Sequence, residues 1–518
     1  MKRILFALVP LLLLSLLSGC NDTAADQTSS SSTSDKPSSS RATTEQYRRI
    51  DCAELTNREV AADLLEAPDL ECGLVMVPAD WSAPKGGRTF EIAVYRLPAT
   101  GDAPVGDPVI YLEGGPGGPG FEAVPEFASG SAAYLRKRSD VVVIDQRGVG
   151  YSRPALYCPE VMKAEARDGD AVAAHKACHD RLVTAGIRLA DFNSHNNALD
   201  VAAVAAALGY KRYNLYGLSY GTRLATTVMR DAPDGVRSVV LDSTFPVQVN
   251  GFSEVPYSIY WALDQIVANC RVDAACAAAM PDLKSEIENG IERLAANPVG
   301  DFTATEYVQA LAGSIADESL LALIDVVANG SDAQISDFLG APDEQARPAG
   351  ARQDGEPDAS LLPAIAEQPD GMYYAIVCAE ELPYLDSKAS PALAGGFSNT
   401  TVSTVEAIAR QGIDELRAIC GAWDVPPAGK VETEAVGSDI PTLILAGSAD
   451  QVTPPEWGRI AGRTLTKSQY AEIPRLGHGV LGSNDCVNGI TQAFLDRPEQ
   501  TVDQSCIASL PKVKYALD

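Results

Sequence analysis

Residues 213–221 read Tyr213-Asn214-Leu215-Tyr216-Gly217-Leu218-Ser219-Tyr220-Gly221, a short apolar strand running into a serine with glycine two places before it and two places after. Helix-forming residues follow from Arg223 through Met229. A serine forced into so sharp a strand-turn-helix keeps its Oγ exposed above a sheet, and only glycine at the flanks lets neighbouring backbone pass that closely. The stretch therefore predicts a strand that ends in an exposed nucleophile and a helix that begins at once.

Three further signals keep a fixed order along the chain. Upstream, Pro108-Val109-Ile110-Tyr111-Leu112 has the pattern of a buried strand and delivers Glu113-Gly114-Gly115-Pro116-Gly117-Gly118-Pro119-Gly120. A loop this rich in glycine leaves backbone N–H groups free to point at a ligand. Downstream, the strand pattern from Pro441 to Gly447 delivers Asp450, and Tyr470-Ala471-Glu472-Ile473-Pro474 precedes Gly477-His478-Gly479. The order Ser, Asp, His is that of α/β-hydrolases, not that of chymotrypsin or subtilisin. The other histidines are His175, His179 and His195. His175 and His179 are spaced for one helix face, but no H-E-x-x-H pattern accompanies them and Cys178 beside them fits a disulfide, so no metal site is expected there. His195 lies among Asn193, Ser194, Asn196 and Asn197 ahead of the helix Ala198 to Leu208, where a loop or capping role is expected.

Together these residues resemble the tripeptidyl-aminopeptidase and prolyl-iminopeptidase branch of the α/β-hydrolase serine peptidases, with a C-terminal segment similar to the TAP-like region. The matching stretches are Gly114-Gly115-Pro116-Gly117 for GGPG, Asp145-Gln146-Arg147-Gly148-Val149-Gly150-Tyr151-Ser152 for DQRGxGxS, and Gly217-Leu218-Ser219-Tyr220-Gly221 for GxSYG. Glu113 departs from the histidine that prolyl iminopeptidases carry before GGPG, which tilts the resemblance toward the tripeptidyl side. The resemblance implies an α/β fold: a mostly parallel central sheet flanked by helices, with a large, mainly helical cap. It implies Ser219 as nucleophile, His478 as base and Asp450 as its orienting acid, with no metal or organic cofactor. The oxyanion would be held by the N–H groups of Tyr220 and Gly115, since Pro116 has no N–H to offer. Asp145 and Arg147 are expected to brace the site loops as an ion pair. Tyr373 to Glu381 is similar to the family's cap segment that ends in an acidic residue after cysteine, so Glu380, and next Glu381, would read a substrate's free α-ammonium. The expected function is an aminopeptidase releasing short peptides of tripeptidyl or prolyl type. A carboxylesterase or lipase using the same triad is the alternative, and a non-catalytic binding lipoprotein comes third.

The termini, cysteines and charge fit an exported enzyme. Lys2 and Arg3 precede an apolar run from Ile4 to Leu17 that is too short to span a bilayer, and Leu17-Ser18-Gly19-Cys20 resembles a bacterial lipobox. That resemblance implies cleavage before Cys20, a diacylglyceryl group on its thiol, and a place in the bacterial cell envelope. Residues 21–50 are expected to be a disordered Ser/Thr-rich tether. Of eleven cysteines, Cys20 is consumed by lipid, which leaves an even set suited to disulfides in an exported chain. Spacing suggests local pairs: Cys52 with Cys72, Cys158 with Cys178, Cys270 with Cys276, Cys378 with Cys420, and Cys486 with Cys506. A net charge of −28 repels nucleic acid and anionic lipid headgroups, and says more about solubility than about substrate. The resemblance implies a peptide substrate, with an ester possible; membrane contact is expected through the N-terminal lipid only, and a monomer is expected. Strand patterns fall at Gly73 to Val77, Phe90 to Tyr95, Val109 to Leu112, Val141 to Ile144, Asn214 to Tyr216, Ser238 to Leu241, and from Thr442. Core segments 51–246 and 436–518 therefore flank a cap at 247–435, where helical patterns run over Tyr257 to Cys270, Asp282 to Ala295 and Leu320 to Asn329, broken by a loop from Gly340 to Pro363. The cap is expected over the C-terminal edge of the sheet, where ligands bind in open α/β folds.

Overall fold

The computed structural model describes residues 47–55, 67, 69–84, 87–102, 104–167, 169–340, 370–386 and 394–517. The readings on the signal segment, Cys20, the tether up to residue 46 and loop positions 341–363 lie outside these residues. Nine strands build one sheet: β1 (Tyr47–Ile50), β2 (Glu71–Pro78), β3 (Thr89–Leu97), β4 (Val109–Leu112), β5 (Val141–Ile144), β6 (Tyr213–Leu218), β7 (Val236–Asp242), β8 (Thr442–Gly447) and β9 (Ser468–Ile473). Their order is β1-β2-β3-β5-β4-β6-β7-β8-β9. β1, β2, β3 and β5 pair antiparallel in succession, and every later neighbour is parallel. Parallel strands covered on both faces need unbroken apolar runs, and β4, β5 and β8 are buried at every position. The C-terminal ends of β4 to β9 consequently share one edge of the sheet, and the chemistry-bearing loops leave from there.

Residues 47–50, assigned above to the tether, form β1 instead. The strand pairs with β2 from Tyr47↔Val75 to Ile50↔Cys72, and the Tyr47 ring lies against Gly73, where a side chain would collide with it. An aromatic ring over a strand glycine restores the contact surface the glycine lacks.

The described chain divides into two compact units. One holds the sheet with residues 47–250, 370–385 and 416–510. Its core unites Tyr95, Val109, Tyr111, Val143, Tyr216, Val240, Leu443, Ile473 and Phe494. Positions 370–385 and 416–435, read above as cap, group with the sheet for a local reason: Cys378 is bonded to Cys420, Gly371 N–H donates to the Leu156 carbonyl, and Arg223 donates to the Glu432 carbonyl. The other unit contains the helices Val255–Val272, Leu283–Ala296, Ala304–Gly313 and Leu320–Asn329, together with the C-terminal residues 511–517. Thr303 and Glu306 form a reciprocal capping box at the third of these helices, and Gly290 leaves room for the Tyr307 ring. The C-terminal stretch is fixed here by Tyr515 Oη donating to the Ile315 carbonyl (2.8 Å) and Ala516 N–H to that of Glu318 (2.7 Å). All five cysteine pairs suggested by spacing are present as disulfides. Among the described residues no helix is long and apolar enough to cross a membrane.

Candidate active site

Ser219 follows β6 with φ 56° and ψ −123°, a left-handed conformation that costs a side-chain-bearing residue about 1–3 kcal/mol and is kept only where surroundings enforce it. The enforcement is visible. Ser219 N–H donates to the Asp242 carbonyl (3.0 Å), and the Thr222 hydroxyl donates to the Ser219 carbonyl (2.6 Å). A Cβ on Gly221 would run into the Leu112 carbonyl and one on Gly217 into that of Gly221, which is why both flanks are glycine.

The glycine-rich loop after β4 lies against this turn: a Cβ on Gly114 would stand 2.8 Å from Ser219 Cβ. Gly114 N–H is taken by Glu113 Oε1 (2.7 Å), whereas the N–H groups of Gly115 and Tyr220 meet no acceptor among the described residues. Glu113 is 8% exposed; its Oε2 accepts from the Tyr111 hydroxyl (2.8 Å) and its carbonyl from Gln146 Nε2 (2.8 Å). Burial raises its pKa, opposed by the Gly114 N–H, the Tyr111 hydroxyl and His478.

Asp145 and Arg147 are not partners, contrary to expectation. Asp145 accepts from Phe121 N–H (3.0 Å), Tyr151 N–H (2.8 Å) and the Tyr95 hydroxyl (2.9 Å), and burial pushes it up to about 6 against these bonds. Arg147 forks onto both oxygens of Asp200 at 2.7 Å and donates to the carbonyls of Ala79 (2.7 Å) and Asp191 (2.6 Å). A fully buried guanidinium has five donors to satisfy, and a distant carboxylate plus carbonyls do so where the near one cannot.

Asp450, beyond β8, is fully buried. Its Oδ1 accepts from Val452 N–H and Thr453 N–H, each at 2.9 Å, and its Oδ2 from the Thr453 hydroxyl (2.8 Å). His478 Nδ1 lies 3.1 Å and 3.0 Å from the two oxygens. Burial works to raise the Asp450 pKa, but the imidazole and the Thr453 donors outweigh it and hold the group below its ordinary value. Burial works against protonation of His478 and is outweighed by Asp450, then Asp242 and Glu113, so its pKa rises. Ser219, Asp450 and His478 thus follow β6, β8 and β9 at one edge of the sheet.

Glu380 and Glu381 lie in a π-helical turn, Val377–Glu381. Neither is solvated. Glu380 is 0% exposed; its Oε1 accepts from Ser194 N–H and its Oε2 from the Ser194 hydroxyl, both at 2.7 Å. Ser194 Oγ also meets the Tyr220 hydroxyl (2.8 Å). Arg223 reaches Glu381 Oε1 with Nη1 at 2.8 Å and Glu380 Oε2 with Nε at 4.0 Å. Burial raises Glu380 to about 7 against Arg223. Ser194, Arg223, Asp242, Ser243 and Thr453 also take part in the arrangement, unannounced by any motif. Arg223 alone carries a signal, a charge one turn past Ser219 on a buried helix, Tyr220–Asp231. Outside the site, His175 Nδ1 accepts from Trp423 Nε1 (3.3 Å) and burial lowers it to about 4, His179 Nδ1 meets Asp180 (3.0 Å), and His195 pairs with Asp231 (2.7 Å) while Asn193 caps the helix.

A nucleophile elbow, a glycine-rich loop and a carboxylate-bound histidine on one edge of a mainly parallel sheet define an α/β-hydrolase of the serine-hydrolase class. Residues 107–277 match the alpha/beta hydrolase fold family and residues 406–506 the TAP-like protein family, in keeping with the α/β-hydrolase fold of the sheet. It is similar to the Serine protease Hip1 of Mycobacterium tuberculosis strain H37Rv, with 32% identity over 231 residues, 40% of this chain and 42% of that protein; the match thus spans about two fifths of that relative's length. It is 27% identical over 477 residues to the Tripeptidyl aminopeptidase of Streptomyces coelicolor, covering 84% of this chain and 83% of the relative. Over 105 residues it is 40% identical to Carboxylesterase B of M. tuberculosis strain CDC 1551, 20% of this chain and 19% of that one.

Proposed function

We propose that this protein is a serine peptidase that removes short peptides from free N-termini through an acyl-enzyme. His478, oriented by Asp450, takes the proton from Ser219 as Oγ attacks the carbonyl, and then gives it to the leaving amine; water repeats the cycle on the ester. The N–H groups of Gly115 and Tyr220 hold the oxyanion. The observation that carries the amino-terminal reading is a buried carboxylate pair beside the Ser219 turn. Glu380 and Glu381 both lie against Arg223, one helical turn from Ser219, and burial disfavours the charge on Glu380, so a substrate ammonium would stabilise its ionised form. Since Glu380 is fully buried, reading the ammonium requires the Ser194 hydroxyl to give up one of its two bonds. The similarity to a tripeptidyl aminopeptidase over 84% of this chain and 83% of that protein supports this reading. The test compares a tripeptidyl amide with a free amine, its N-acetylated form and a short acyl ester, with Ser219→Ala as blank. A strong preference for the free amine is expected. Ester cleavage with indifference to both amides would assign a carboxylesterase instead, the reading favoured by the short similarity to Carboxylesterase B. Export and anchoring through a lipid on Cys20, and a monomeric state, belong to the same proposal.

A further inference from the structure

We infer that Asp242, with Ser243 beside it, is a positioning residue that clasps the nucleophile turn and the histidine loop in register. This rests on the Ser219–His478 chemistry proposed above. β7 lies between β6 and β8, so the residue that ends it stands between the serine turn and the loops carrying the acid and base. Its carbonyl accepts Ser219 N–H at 3.0 Å. Its carboxylate accepts Val480 N–H (3.0 and 3.1 Å), Leu481 N–H (2.9 Å) and the Tyr216 hydroxyl (2.5 Å). Ser243 Oγ accepts Gly479 N–H at 2.8 Å. Three consecutive amides immediately after His478 are therefore held by two consecutive residues, one of which also holds the nucleophile.

The need for such a clasp follows from the loop itself. His478 has glycine on both sides, and Gly479 is at φ +83°, so the adjacent residues offer no side chain to fix the backbone that carries the imidazole. Asp450 and Thr453 hold the ring at Nδ1, and backbone bonds hold the loop. Ser243 is fully buried at φ 55°, a strained geometry worth keeping only if its hydroxyl is needed where it points. Asp242 is fully buried as well; burial raises its pKa, opposed by the Tyr216 hydroxyl, the Leu481 and Val480 N–H groups and His478. The imidazole is faced by Asp450 beyond β8, Asp242 at the end of β7 and Glu113 at the end of β4. Asp242 therefore sets both the place of the base and the charge around it.

The test measures kcat, KM and the pH profile of ester hydrolysis for Asp242→Asn, Asp242→Glu and Ser243→Ala, with active serine counted by a fluorophosphonate. Displacing a catalytic group by about an ångström costs on the order of 100-fold. Asp242→Asn is expected to lower kcat about that much with KM nearly unchanged, and to move the acid limb of kcat/KM to lower pH because a negative charge is lost. Asp242→Glu keeps the charge, so kcat falls while the limb stays. Ser243→Ala is expected to lower kcat about tenfold without moving the limb. Should Asp242→Asn fail to fold, the other two variants carry the comparison. Variants that keep parental kcat and an unmoved limb overturn the clasp while leaving the serine-hydrolase reading intact. Failure of the parent itself to label at Ser219 overturns both.

Discussion

Replacing Asp450 by asparagine tests the proposed chemistry with little change in shape. Oδ1 is committed to two backbone amides, Val452 and Thr453, both at 2.9 Å. The asparagine oxygen must occupy that position, because an NH2 group there would face two N–H donors. The NH2 is thereby forced to the Oδ2 side, toward the Thr453 hydroxyl and His478 Nδ1. The hydroxyl can turn and accept. Nδ1 then becomes an acceptor, which puts the ring proton on Nε2, the nitrogen that must take the proton of Ser219. A wrong tautomer in otherwise sound geometry lowers kcat by about ten-thousand-fold, roughly 5.4 kcal/mol of transition-state stabilisation. The assay is steady-state hydrolysis of a tripeptidyl amide and an acyl ester, alongside fluorophosphonate labelling and thermal melting. Both substrates should lose activity alike while the fold persists, since both amides of the Asp450 loop keep their acceptor. Activity within tenfold of the parent would refute Asp450 as the orienting acid.

Four further outcomes are expected. Glu380→Gln should raise KM for free peptides far more than for neutral esters; equal effects on both would remove the ammonium-reading role. The pH profile has a defined sign: Glu380, raised to about 7, is neutral below that value and charged above it, so KM for a free peptide should fall as pH rises through about 7. It should climb again above about 8, where the substrate's own amine loses its charge. Removing the Cys378–Cys420 bond by double alanine substitution frees a loop of 42 residues' separation and should cost about 4 kcal/mol in denaturant unfolding by the chain-entropy relation. Cys20→Ala should move the protein from the membrane fraction to the soluble exported fraction; unchanged fractionation would count against the lipid.

Sequence was most legible where one residue run sufficed. β4 and β5 match their expected bounds because a parallel strand buried on both faces is an uninterrupted apolar run. β1 was illegible because Tyr47-Arg48-Arg49-Ile50 is an edge strand whose central arginines face solvent, leaving no alternation to read. Ser219, Asp450 and His478 were singled out as candidates because glycine spacing and strand endings mark them. Their supports were not, since Arg147 meets Asp200 across 53 residues and Asp242 meets Val480 across 238. The pair Glu380 and Glu381 was singled out by resemblance to the family, yet nothing in the sequence announces that Arg223 lies against both.

Under the proposed anchoring through Cys20, the Tyr47–Ile50 strand is where mechanical load would enter the fold. A tug on the N-terminus would reach β1, which lies five strand spacings from β6, roughly 24 Å across the sheet. Its four residues pair antiparallel with β2, and the Cys52–Cys72 bond sits directly behind them. Force applied there would open the four-residue edge ladder first and then pass through the Cys52–Cys72 bond into β2, still four strand spacings from the strand that carries Ser219.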